Sequence, residues 1–89
     1  MYIHLGQETV IRTADVVGIF DLDNSTVSKH TRDFLARAEK EKRVINVTYE
    51  LPKSFVVVDD GTGLRVYISQ ISSTTLLKRT GFISDIANV

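Results

Sequence analysis

The sequence predicts a single α+β domain spanning residues 1–89, a small and mostly antiparallel sheet of about five to six strands with two helices. Short runs rich in β-branched residues recur along the chain and are separated by turn signals. Two other stretches repeat apolar residues at helical spacing instead. The order is strands, helix, strands, helix, which is not the regular β-α-β alternation of a parallel sheet. An open sheet with both helices packed on one face fits this length.

Residues Tyr2 to Leu5 alternate, with Ile3 and Leu5 on one face and Tyr2 and His4 on the other. Gly6-Gln7-Glu8 marks a turn, and Thr9 to Arg12 resumes a β-branched run. Thr13-Ala14-Asp15 reads as a one-turn interruption. Val16 to Phe20 is almost wholly apolar, the pattern of a strand covered on both sides. Gly18 in its middle points to a bulge or to close approach by another backbone. Asp21-Leu22-Asp23-Asn24-Ser25 is a loop ending in a helix cap, since a short side-chain oxygen can accept the first unpaired backbone N–H groups. The helix then runs from Thr26 to Lys42. Val27, Thr31, Phe34, Leu35 and Ala38 share one of its faces, and Lys29, Arg32, Lys40 and Arg43 the opposite one.

Val44 to Tyr49 is the next strand, broken by Leu51-Pro52 because proline lacks a donor and restricts its predecessor. Ser54 to Val58 is the strongest strand signal in the chain. Asp59-Asp60-Gly61-Thr62-Gly63 turns it into a hairpin, and Leu64 to Ile68 returns. Ser72 or Ser73 caps a second helix that runs through Arg79, and Gly81 stops it. Beyond it, Phe82, Ile83, Ile86 and Val89 keep helical spacing, which makes this tail a candidate subunit interface or, equally, a segment packed on its own domain.

A domain of this size buries only roughly 60–65% of its unfolded surface, so leftover apolar area invites a partner. The chain has no cysteine and shows no leader pattern, which together favour a reducing, cytoplasmic setting. Asn24-Ser25-Thr26 and Asn46-Val47-Thr48 match a glycosylation pattern that has no meaning there. No apolar run approaches the roughly 20 residues a membrane helix needs.

Formal charge is zero, with 11 basic and 11 acidic residues, but the charges fall in blocks. Residues 26–43 set Lys29, Arg32, Arg37, Lys40, Lys42 and Arg43 against Asp33, Glu39 and Glu41, a net +3. Residues 1–25 set Arg12 against Glu8, Asp15, Asp21 and Asp23, a net −3. The helical stripe of Lys29, Arg32, Lys40 and Arg43 is therefore the residue-level candidate for tracking a phosphate backbone. The plainer reading is a solvated helix face.

Catalytic and metal chemistry find little support. Asp21-Leu22-Asp23-Asn24-Ser25 imitates the start of a calcium loop, but Thr26 replaces the turn glycine and Arg32 the bidentate glutamate. Gly61-Thr62-Gly63 is turn chemistry rather than a dinucleotide cradle. His4 and His30 lack a nucleophile in a recognisable elbow, and Asp59-Asp60 lacks a phosphate cradle for magnesium. The expectation is a protein that is not an enzyme and takes no metal, cofactor or small-molecule ligand.

Several stretches, in order, resemble the RemA/RemB family of extracellular-matrix regulators of Gram-positive bacteria. They are Tyr2-Ile3-His4-Leu5-Gly6, Val16-Val17-Gly18-Ile19-Phe20-Asp21, Pro52-Lys53-Ser54 before a valine-rich strand, and Ile71-Ser72-Ser73-Thr74-Thr75-Leu76 followed by Lys78-Arg79. The likeness covers nearly the whole chain. It implies a cytoplasmic transcription regulator of biofilm-matrix genes. Members of the RemA branch bind DNA without a helix-turn-helix and assemble into rings, and of these the resemblance carries oligomer formation over to this chain more fully than DNA binding. That branch carries arginines before the valine-rich strand and one in the turn after the second strand. Here those places read Glu50-Leu51-Pro52-Lys53 and Thr13-Ala14-Asp15, so Lys53, with Arg12 nearby, is what the resemblance leaves for DNA. Two expectations follow: a homo-oligomer binding DNA through repeated basic patches, or a protein–protein scaffold that does not touch DNA.

Overall fold

The computed structural model describes residues 1–22, 28–48 and 50–80. The elements are β1 (Tyr2–Gly6), β2 (Thr9–Arg12), a 3-10 turn (Thr13–Asp15), β3 (Val16–Asp21), α1 (Lys29–Lys40), β4 (Val44–Asn46), β5 (Ser54–Asp59), β6 (Leu64–Ser69) and α2 (Ser73–Thr80). The α+β expectation and the six strands hold. The six strands are split between two sheets. β1 and β2 form an antiparallel hairpin, and the other four run in the order β3-β5-β6-β4. Only β4 against β6 is parallel.

That split overturns the expectation of helices on one face. β5 sits inside the four-stranded sheet and is apolar on both sides, with Phe55 and Val57 on one face and Val56 and Val58 on the other. Both faces must then be covered. Val56 and Val58 pack with Ile3, Leu5 and Ile11 of the hairpin and with Leu76 of α2, joined by Val16 and Ile19. Phe55, Val57 and Val66 pack with Ala38, Phe34 and Leu35 of α1. The sheet is therefore sandwiched, with the hairpin and α2 above it and α1 below.

β3 is an edge strand, so its expected double coverage is also corrected: Val17 is 63% and Phe20 40% exposed. The bulge expected at Gly18 is present. Val16 faces Val58 and Gly18 faces Val57, which leaves Val17 as the extra residue. A Cβ on Gly18 would lie 2.7 Å from ring carbons of Phe20, whose ring stacks on Phe55 with centroids 4.9 Å apart.

The described helix α1 starts at Lys29 rather than Thr26; Asn24, Ser25, Thr26 and Val27 lie outside the described residues. Its apolar face is as expected, with Ala38 buried and Thr31, Phe34 and Leu35 half-buried. It ends before Lys42. Lys42 takes φ +60°, its N–H donates to the Glu39 carbonyl, and the Arg43 N–H donates to the Ala38 carbonyl. This is a Schellman closure built without the usual glycine. β4 stops at Asn46, and Tyr49 is outside the described residues. Ser72 caps α2, its Oγ accepting from the Thr75 N–H at 3.2 Å. Gly81, expected to end that helix, is also outside the described residues.

Candidate nucleic-acid interface

The basic residues singled out from the sequence do not form one surface. Lys29, Arg32 and Lys40 are exposed along α1, whose other side is held down by Phe34, Leu35 and Ala38. The side chains of these three make no ion pair among the described residues. Arg43 leaves the stripe because the chain turns at Lys42. Its Nη1 donates to the Leu64 carbonyl at 3.0 Å, and its Nε meets Glu41 at 3.4 Å. The guanidinium lies over Gly63, where a Cβ would come within 2.5 Å of Nη1.

Arg12 is exposed at the end of β2, in the hairpin layer on the other side of the sheet from α1. Lys53 precedes β5 where β3 ends. Its N–H donates to the Ser69 carbonyl, and its own carbonyl accepts from Leu22. Arg12 leads through the 3-10 turn into the opposite end of β3. At about 3.3 Å per residue, the length of that strand keeps Arg12 and Lys53 roughly 17 Å apart. Phe82, Ile83, Ile86 and Val89 lie outside the described residues.

Sequence reasoning missed two features. One is a polar cavity of about 300 Å³ at the end of α1, edged by Lys42, Arg43 and Arg65 together with Glu41 and Thr62. Its positive charge is largely cancelled, since Arg43 meets Glu41 and Arg65 meets Asp60 at 3.5 Å. The other is an apolar groove of about 350 Å³ between β3 and α1. Phe55 and Val57 form its floor, and Val17, Phe20, His30 and Phe34 its walls. Its signal was the unbroken apolar run of Val16 to Phe20.

His4 and His30 lie in opposite layers, and the His4 ring donates to the Gln7 carbonyl at 2.6 Å. Asp59 and Asp60 serve the hairpin: Asp59 accepts from the Gly61 N–H and Asp60 from the Thr62 N–H and hydroxyl. The Thr62 hydroxyl, then its N–H, and the nearby Arg65 hold the Asp60 carboxyl below the usual aspartate range. Among the described residues, no three His, Asp or Glu side chains gather where a metal ion would sit. No helix among them is long and apolar enough to cross a membrane.

The α+β sandwich leaves a cationic helix face and an apolar groove open on its surface. Residues 2–80 match the model of the RemA-like family, described as extracellular matrix regulatory protein A-like, and the chain belongs to that family. It is 43% identical over 86 residues to extracellular matrix regulatory protein B of Bacillus subtilis strain 168, covering 97% of this chain and 98% of that protein.

Proposed function

We propose that this chain regulates extracellular-matrix genes as an assembly of copies that binds duplex DNA through repeated basic surface. The observation that carries the regulatory part is the 43% identity, over nearly the full length, to a protein named for matrix regulation. The DNA part is supported by Lys29, Arg32 and Lys40, three cations on one exposed helix face that make no ion pair among the described residues. A chain with zero formal charge holds a polyanion weakly by itself. Copies arranged around one duplex convert later contacts into intramolecular ones and so gain affinity without new chemistry.

The test is a salt titration of binding to promoter-length duplex DNA. Each phosphate neutralised steepens the log–log salt dependence by about 0.9. The variant K29Q/R32Q/K40Q is expected to flatten that dependence by about 2.7 for each bound copy, with the assembled mass unchanged. An assembled wild-type protein that leaves the duplex unshifted at low salt contradicts direct binding. The same result favours the second reading, a scaffold for other proteins, which the zero net charge and the separation of Arg12 from Lys53 support.

A further inference from the structure

We propose that the groove between β3 and α1 receives the 81–89 segment of a second copy of this chain. The inference rests on the assembly proposed above and names the surfaces that build it. The groove is a real opening in the fold. α1 leans over β4 and β6, so the β3 side of the same sheet face is left with Val17 and Phe20 in solvent above Phe55 and Val57.

The segment has the matching chemistry. Phe82, Ile83, Ile86 and Val89 supply apolar side chains at the spacing of one helix face, with Ser84, Asp85 and Asn88 between them. Asp85 is the segment's one charged side chain, and His30 and Thr31 put polar groups on the α1 wall of the groove.

Reach decides between the same copy and another. α2 packs against β1 and β3 on the hairpin side of the sheet, while the groove opens on the α1 side. Packed layers stand about 10 Å apart, so an occupant of the groove sits roughly 20 Å from the layer in which Thr80 ends. An extended chain covers at most about 3.6 Å per residue, which carries Phe82 only about 7 Å beyond Thr80. Phe82 and Ile83 therefore fall short of their own groove, and the four apolar residues can seat together only in a neighbour. Tail-to-groove contact is heterologous, the kind that closes rings.

The chain has no cysteine, so disulfide trapping gives a direct test. Full-length V17C and I86C, one carrying a larger tag, are mixed and oxidised, and F82D/I86D is weighed by light scattering. The expected result is a mixed V17C–I86C disulfide between copies, with F82D/I86D falling to the 10.0 kDa of one chain while still unfolding cooperatively. An assembled wild-type protein that gives no mixed disulfide, or an F82D/I86D variant of unchanged mass, overturns this inference and leaves the proposed function standing. A wild-type chain that weighs 10.0 kDa overturns both.

Discussion

Ser69 ties the hairpin layer to the sheet. It is fully buried, its hydroxyl donates to the Leu5 carbonyl at 2.7 Å and accepts from the Ile71 N–H at 3.0 Å. Removing it leaves two backbone groups without that partner. Ser69→Ala is expected to lower the unfolding free energy by about 2 kcal/mol, measured by urea denaturation. Asp60 works at the opposite end of the sheet and in solvent. Its carboxyl titrates below the ordinary aspartate range because Thr62 bonds to it. The hairpin support it gives is thus complete above that range and is lost as pH falls through the depressed midpoint. Thr62→Val is expected to raise that midpoint toward the ordinary value, read from the Asp60 carboxyl shift in an NMR titration. Asp60 at the hairpin was legible from the turn composition around Gly61. Ser69 was not, because a serine ending a strand looks the same whether or not another layer folds onto it.

At the scale of elements, α1 shows where local pattern stops being informative. Its apolar face could be read from Thr31, Phe34, Leu35 and Ala38 because packing enforces helical spacing. Its end could not, since Lys42 adopts a left-handed conformation with neither glycine nor asparagine to announce it. That turn sends Arg43 to Leu64 and out of the basic stripe. Lys42→Gly relieves the strain of a side chain at φ +60° and is expected to stabilise the fold by about 0.5–1 kcal/mol, seen as a higher urea midpoint at unchanged slope. β3 gives a similar lesson. Gly18 announced the bulge, but an apolar run from Val16 to Phe20 reads alike for a buried strand and for a partly exposed edge strand.

For the whole molecule, the class and the strand count were legible and the layering was not. β5 is apolar at Phe55, Val56, Val57 and Val58 alike, and this continuous run signalled cover on both faces. Which element would supply each cover depends on the β1–β2 hairpin leaving the main sheet, a long-range choice that no local spacing encodes. The placement of the basic residues follows from it: α1 lies below the sheet and Arg12 above, so a single copy offers modest and divided positive surface. The proposed regulator therefore depends on copies acting together on DNA. Light scattering coupled to size exclusion, run with promoter-length duplex at low salt, tests this most directly. The account predicts a complex holding several 10.0 kDa chains per duplex that comes apart as salt rises. A 10.0 kDa monomer eluting separately from unshifted duplex would contradict it.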